Sequence, residues 1–487
     1  MNTLNLKNIL DTFDPLMALP ELALLLVIIT VIFSDLFLPE QKRAAISWIA
    51  RIGLIVTGVV LFGVYSLMPE VGPQGHYVHD RLADILKFAI LLVSFFAFLY
   101  ADFYLSKHKL LSGDFYILSL ISILGMFVVV SSHSLLTLYL GIELLSLPLY
   151  ALIAMQRDGT LNKEAAMKYF ILGALASAIL LFGISVIYGA TGYITLTDIA
   201  SVIPKIALFE QQVLLAVGVI FVFGGIAFKL GAVPFHMWIP DVYSGAPTAV
   251  TTLIASASKL AGFALAIRLL VVGLPDLHVD WQPICFALAI LSIVIGNIVA
   301  LVQSDIKRLL GYSAISHVGF LLLGIAVGNA DGYSAALFYA LVYAVMTAAA
   351  FGLVILLDQA GLEVQTIDDF KGLSERNPWL AFLMLLVMFS LAGIPPLAGF
   401  YAKFLVLEAV AASSSIWFVG IALFMSVVGA FYYLRVIKVM YFSAPENHDK
   451  IIYSDHLRYA ISVNTLIILA LGIVPAPLIA WCQTAFG

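Results

Sequence analysis

The stretch FKLGAVPFHMW, Phe228 to Trp238, sets a lysine inside an apolar run and follows it closely with a glycine, a proline and a histidine. Proline removes a helical hydrogen bond and clashes with the preceding turn. A helix entering this stretch therefore stops there, with a charge beside the stop. Apolar residues make up 63% of the chain and charged residues only 11%, against roughly 25% charged in an average soluble domain. The reading is an all-α, polytopic membrane protein, one membrane domain over residues 1–487, because no polar segment is long enough to form a soluble one.

A membrane span takes about 20 mostly apolar residues. On that basis fourteen spans are expected, near residues 16–38, 46–68, 82–104, 113–130, 134–155, 164–190, 211–240, 247–271, 282–304, 308–328, 333–358, 378–412, 416–442 and 460–482. The seventh and twelfth are too long for one straight helix. Connections after odd-numbered spans carry Lys42, Arg43, Arg51, Lys107, Lys109, Arg157, Lys163, Lys307, Arg308, Lys371, Arg376, Lys450 and Arg458. Those after even-numbered spans carry Arg81 and Lys205, and the N-terminal tail adds Lys7. This bias places the odd connections in the cytoplasm and both termini on the other side of the membrane. Asp11, Asp14 and Glu21 lie before or within a span-length first run, which does not read as a cleaved signal peptide. Trp48, Trp281, Trp379, Trp417 and Trp481 fall near span ends, as an interfacial belt requires, and Trp238 does not.

Composition also excludes function classes. Nucleic acid is not an expected partner, since no basic stripe with interleaved aromatics occurs. Cys285 and Cys482 lie far apart in apolar runs, with no CxxC, so neither a disulfide framework nor a zinc or iron–sulfur site is expected. No GxGxxG or Walker motif follows a strand. Redox or nucleotide chemistry would belong to other chains.

Within the spans, Lys229, Lys259 and Lys403 are deep, where a charge costs at least about 2.5 to 3.5 kcal/mol. Their bland reading is a structural ion pair with a buried acid. Lys168 is shallower and divides evenly between the two readings. Lys87, Arg268, Arg435 and Lys438 are close enough to span ends to snorkel as anchors. Glu143 is the mid-span acid, whereas Glu21 and Asp35 read as solvated or capping groups. His317 and His236 add groups able to titrate near neutral pH, though a lone span histidine is as often only packed and hydrogen-bonded. A lysine that holds its proton beside an acid and releases it when the acid moves suits a proton relay.

A second interrupted segment, SLAGIPPLAGFYAKF, precedes Lys403 in the twelfth span. Interruptions in corresponding places of two halves point to internal repeats with the ion path at the breaks. Two five-span units are expected, spans four to eight (111–271) and nine to thirteen (282–443), after three N-terminal spans (1–110) and before a last span (459–487). Five spans apart, the units cross in opposite directions. Lys229 pairs with Lys403 in this scheme, and Glu143 with His317, at one shared spacing. The buried path would run Glu143, Lys229, Lys259, His317, Lys403.

The stretches GIELLSLPLYAL, FKLGAVPFHMWIPDVYSGAPTAVTTLIASASKL, DIKRLLGYSAISHVGF and SLAGIPPLAGFYAKF resemble those of the antiporter-like membrane subunits of respiratory complex I, over nearly the whole chain. That family is related to subunits of multi-chain cation/proton antiporters. PDVYSGAPT after PFHMW is closer to N-type members than to M- or L-type ones. The resemblance implies a fourteen-helix fold with two inverted repeats and a proton channel through Glu143, Lys229, Lys259 and Lys403. It implies no cofactor on this chain, with FMN, iron–sulfur clusters and quinone on partner subunits. It also implies an M-like antiporter subunit and small membrane subunits as neighbours, a peripheral redox arm acting from a distance, and the lipid bilayer around them. The alternatives are a subunit of a cation/proton antiporter and a membrane scaffold whose charges merely pair.

Overall fold

The computed structural model describes residues 17–39, 44–65, 70–72, 74–108, 110, 113–156, 159–359, 365–413, 416–445 and 454–487. Asp11, Asp14, Lys7, Lys42, Arg43, Lys109, Arg157 and Lys450 lie outside them.

Among the described residues the first six helices are α1 (Leu19–Phe37), α2 (Ala44–Val64), α3 (Arg81–Lys107), α4 (Gly113–Val130), α5 (Leu135–Ile153) and α6 (Thr160–Thr191). Helix α7 is split into α7a (Phe209–Leu230) and α7b (Trp238–Gly245), and α8 into α8a (Thr248–Ala255) and α8b (Ala257–Ala266). Next come α9 (His278–Leu301), α10 (Ile306–Ala326), α11 (Ala330–Gln359), the split pair α12a (Pro378–Ala392) and α12b (Ala398–Ala412), and α13 (Ile416–Phe442). Helix α14 (Asp455–Ile473) and the short α15 (Ala476–Gln483) close the chain. One two-residue strand pair, β1 (Glu70–Val71) with β2 (Val78–His79), lies between α2 and α3.

Thirteen helices among the described residues are long and apolar enough to cross a membrane. The remaining predicted span is the split α12. The protein is a multi-pass membrane protein. Its centre is α8, α10 and α11, the last buried throughout its most apolar stretch, while α1, α6 and α13 turn most of theirs outward. That gradient is what lipid allows, since apolar side chains are equally at home in a core or in acyl chains.

Local chemistry sets the helix ends. Asp80 caps α3 by accepting from the Ala83 amide, Ser134 caps α5 by accepting from Thr137, and Asp305 caps α10 by accepting from Arg308. At each of the two predicted breaks a glycine takes a left-handed conformation, Gly231 at φ +80° and Gly393 at φ +86°. Each break closes with the same pair of hydrogen bonds. Gly231 and Ala232 donate back to Ala227, and Gly393 and Ile394 donate back to Phe389. Both are glycine C-caps that satisfy the last carbonyls of a helix.

The correspondence extends to the helix starts. Leu135 donates to the Ile194 carbonyl and Leu196 to that of His133, while Ile306 donates to Gln365 and Ile367 to Ser304. The start of α5 is thus tied to the chain ahead of α7, and the start of α10 to the chain ahead of α12, by one pattern.

Helix α8 departs from the straight span expected. It bends at Ser256 (φ −110°, ψ −80°) and ends in π-helical turns over Ile267–Gly273. Neither glycine nor proline marks the bend, so the sequence carried no breaker there.

Candidate functional site

Three lysines meet the two breaks. Lys229, in the last turn of α7a, is buried and donates to Ser146 Oγ of α5 at 2.9 Å. Lys259, on α8b, is buried and donates to the carbonyl of Leu230, the last residue of α7a, at 2.5 Å. Lys403, on α12b, donates to the carbonyl of Ala392, the last residue of α12a, at 2.9 Å. Each of the latter two also stands over an aromatic ring, Lys259 at 5.2 Å from Trp238 and Lys403 at 5.3 Å from Phe320. Helix C-termini and ring faces both attract cations.

This arrangement changes the expected pairing. Leu230 and Ala392 hold the same place relative to Gly231 and Gly393, so Lys403 corresponds in contact to Lys259, not to Lys229. The corresponding position to Lys229 on α12a is the buried Leu391. Sequence spacing alone could not show this, because Lys259 reaches the first break from a separate helix.

Trp238 stands apart from the interfacial belt for a reason the contacts supply. Its indole N–H donates to the carbonyl of Phe228 at 3.0 Å, and its ring stacks on Tyr169 at 4.7 Å. It is buried and holds the broken end of α7a closed. Ser292 of α9 satisfies another group of the break by accepting from the Val233 amide at 2.9 Å.

Glu143 is half-buried on α5 and accepts from Ser177 of α6. Between Ser177 and Ser146 lies a cavity of about 20 Å³ whose lining includes Lys229 and Tyr150. That is about the room one water needs. Glu143 and Lys229 are therefore adjacent without forming a direct ion pair.

His317 is buried on α10. Its Nδ1 meets the Tyr339 hydroxyl at 2.6 Å and its Nε2 meets the Tyr433 hydroxyl at 3.1 Å. Tyr433 in turn bonds Ser313. Tyr339 stacks on Phe320, the ring under Lys403, so one aromatic pair touches both His317 and Lys403. The surrounding tyrosines carry no signal in the sequence, because a tyrosine in an apolar span looks like packing.

The two remaining candidates lie elsewhere. His236 is half-buried within the first break, its Nδ1 without a partner among the described residues, and no hydrogen bond ties its side chain to the lysines. Lys168 is 41% exposed and pairs with Glu164 and Asp241, both at 2.8 Å. Arg308 of α10 shares Asp241 at 2.8 Å. The structure sets Lys168 in an ion cluster joining α6, α7b and α10 rather than beside Glu143.

Several residues read as anchors or solvated groups are buried and paired. Lys87 is fully buried, 2.6 Å from Glu21 and 2.9 Å from the Tyr77 hydroxyl, which also donates to Glu21 at 2.9 Å. Arg268 grips Asp80 through two bonds, at 2.6 and 2.8 Å, and donates to the Val130 carbonyl. Burial alone would push the Asp80 carboxyl up, yet the Arg268 guanidinium and the Ala83 amide hold it below the usual carboxylate range. Arg51, counted with a connection, is buried in α2 and pairs with Asp102 at 2.8 Å. Hydropathy locates a charge along the chain, but its distance from water depends on which helices pack around it.

A bundle of membrane helices, two of them split, with lysines at the breaks defines the class of membrane protein, and comparisons with known proteins narrow it. The family model described as "NADH:quinone oxidoreductase/Mrp antiporter, TM" matches residues 132–429. NADH-quinone oxidoreductase subunit N of Nitrosomonas europaea is 48% identical over 98% of both chains, and that of Thioalkalivibrio sulfidiphilus is 47% identical over 97% and 98%. A chain of respiratory complex I from Thermus thermophilus with bound aureothin aligns with TM-score 0.80 and 30% identity, over 96% of this chain and all of that one. The Mrp complex from Dietzia sp. contains a chain of the same fold, at TM-score 0.84 and 19% identity over 96% of this chain and 97% of that one. The chain belongs to the NADH-quinone oxidoreductase subunit N family, among the antiporter-like membrane subunits.

Proposed function

We propose that this chain moves protons across the membrane through Glu143, Lys229, Lys259, His317 and Lys403, as a subunit of a type I NADH:quinone oxidoreductase that carries no redox centre itself. The observation that carries the reading is what the three deep lysines touch. Each donates to a serine hydroxyl or to a carbonyl freed by a helix break, and none has a carboxylate in ion-pair contact among the described residues. A structural ion pair, the bland alternative, would place an acid there. A lysine held only by neutral acceptors at a break can lose its proton without leaving a buried carboxylate uncompensated.

Mechanistically, Lys229 and Ser146 line a small cavity that is also lined by Ser177, the partner of Glu143, so a proton passes between Glu143 and Lys229 by way of hydroxyls and a water in that cavity. Lys259 and Lys403 meet the C-terminal ends of α7a and α12a, where the helix dipole favours the charged form. A shift of either half-helix moves that carbonyl and changes how well the ammonium is held. His317 stands in the second half, bonded to Tyr339 and Tyr433. His236 and Lys168 lie at the margins of this route, Lys168 in the ion cluster at one end.

Moving one charge against 100 mV costs about 2.3 kcal/mol, so an outside source must drive the cycle. In this reading it is NADH oxidation and quinone reduction on partner subunits, which hold the FMN, the iron–sulfur clusters and the quinone. An M-like antiporter subunit and small membrane subunits flank the chain in a bacterial inner membrane, with both termini non-cytoplasmic. The five-helix units span 111–271 and 282–443. A subunit of a cation/proton antiporter would use the same groups, but the 48% identity to a subunit N over 98% of the chain favours the redox-driven complex.

The test is Lys229→Ala in membranes, with NADH oxidation and proton pumping measured together and assembly checked on native gels. An assembled complex that has lost both activities supports the path. Failure to assemble supports a scaffold, and unchanged pumping overturns the assignment.

A further inference from the structure

Around His317 the structure holds a hydrogen-bonded set that the lysine path does not use. Tyr433 OH meets Nε2 and also bonds Ser313, which sits one turn before His317 on α10. The neighbouring Tyr432 packs on Tyr433 with ring centroids 4.3 Å apart and donates to Asn297 Oδ1 of α9 at 3.1 Å. Asn297 Nδ2 donates to Ser316 Oγ at 2.8 Å. All of these side chains are buried among apolar neighbours. A buried hydroxyl without a partner costs about 1 to 3 kcal/mol, and here each finds one.

The set has a direction. Asn297 lies four residues before the end of α9, which is about 6 Å along the helix axis. That end also carries the start of α10 and the ion cluster of Asp241 and Arg308. At the other extreme, Tyr339 stacks on Phe320 beneath Lys403. The polar groups therefore run from near one face of the bundle to Tyr339, whose ring stacks on the one beneath Lys403.

We propose that Tyr433 is a proton-transferring residue, the link in a side-chain wire that joins the end of α9 to His317 and so supplies the second half of the path separately from Glu143. This rests on the proton-path reading above. The chemistry needs no charged intermediate on the wire. A proton arriving at the Ser313 oxygen releases the Ser313 hydroxyl proton to the Tyr433 oxygen, the Tyr433 hydroxyl proton passes to Nε2, and the Nδ1 proton passes to the Tyr339 oxygen. Tyr339 then gives up its own hydroxyl proton to a water molecule on the side of the second break, which passes it to Lys403 in its neutral form. One proton enters, one leaves, and the imidazole ends neutral in its other tautomer. Both ring nitrogens facing hydroxyls, which donate and accept alike, is the arrangement that lets this run. Rotation of the hydroxyls together with a half-turn of the imidazole ring resets it.

The experiment compares three variants in the whole complex, in membrane vesicles, reading proton pumping per NADH oxidised and the solvent deuterium isotope effect on pumping. Tyr433→Phe removes one oxygen and keeps the ring. Tyr343→Phe is the control, since its ring lies 5.0 Å from that of His317 while its hydroxyl bonds Thr347 instead. Lys229→Ala reports on the path as a whole. Tyr433→Phe is expected to slow pumping about tenfold, modest against the 10² to 10⁴ of a positioned acid or base, and to raise the isotope effect, with Tyr343→Phe at wild-type rate. Wild-type pumping in Tyr433→Phe, with Lys229→Ala defective, overturns the wire and leaves the path standing. Wild-type pumping in both overturns the path itself. Should Tyr433→Phe fail to assemble, Ser313→Ala and Tyr339→Phe carry the same expectation, and normal pumping in those two overturns the wire.

Discussion

Lys259 and Lys403 stand in one relation to the two broken helices: each ammonium donates to the last carbonyl of the half-helix before the break, Leu230 at 2.5 Å and Ala392 at 2.9 Å. The two come from non-equivalent helices, so the likeness is one of contact rather than of position. Each lysine satisfies an orphan carbonyl that a continuous helix would have used internally.

Replacing Lys259 or Lys403 by alanine is expected to stop pumping and also to leave that carbonyl unsatisfied, at about 1 to 3 kcal/mol. Thermal unfolding of the assembled complex separates the two effects. Lys259→Met, apolar and of similar length, should lose pumping as fully as Lys259→Ala while recovering part of the packing.

Gly393 is required for two reasons at once. Its φ of +86° is costly for an L-residue, about 1 to 2 kcal/mol, and an added Cβ would stand 2.9 Å from Lys403 Cδ. Gly393→Ala should therefore lower both stability and pumping. Gly420→Ala, where a Cβ meets nothing within 4 Å, should change neither, and the comparison is made by melting curves and vesicle assays on the two variants.

For Glu143 the decisive change is to glutamine, which keeps an acceptor for Ser177 but cannot ionise. Pumping should fall in an assembled complex, and Ser177→Ala should produce a smaller loss. Full pumping by Glu143→Gln would remove this residue from the path.

The buried Glu21–Lys87 pair makes a different prediction. Removing one partner leaves an uncompensated charge, at about 3 to 5 kcal/mol. Lys87→Met should destabilise strongly, and adding Glu21→Gln should return much of the loss, as a double-mutant cycle would measure.

Asp80 predicts a pH dependence. Its carboxyl is held below the usual range by Arg268, so the stability it contributes is complete above the unfolded-state value of about 3.9. That stability is lost as pH falls through the lower folded value. Asp80→Asn should melt lower at neutral pH, with Arg268 left unpaired, and lose less further stability on acidification below about pH 4. Melting temperature against pH, for both proteins, checks the sign.

Much of this was legible in local sequence. Phe228–Trp238 and the segment before Lys403 both announced a helix break through glycine and proline, and both breaks are present at Gly231 and Gly393. The bend at Ser256 carried no such mark, because packing rather than backbone chemistry makes it. Glu143, Lys229, Lys259, His317 and Lys403 were visible as polar groups deep in apolar runs. Tyr433, Ser313 and Asn297 were not, since uncharged residues of these types stand out in a span only once their partners are known.

By itself the sequence determined the membrane class, the number and order of spans, the two interruptions and the place of each charge along its span. These follow from run length and from the missing amide of proline, both properties of neighbours along the chain. The tertiary structure alone decided that Lys403 matches Lys259, that Lys87 and Arg268 are buried and paired, and that Lys168 lies in an ion cluster. A long cationic side chain takes its state from whatever helix packs against its end, and helices distant in sequence supply that contact.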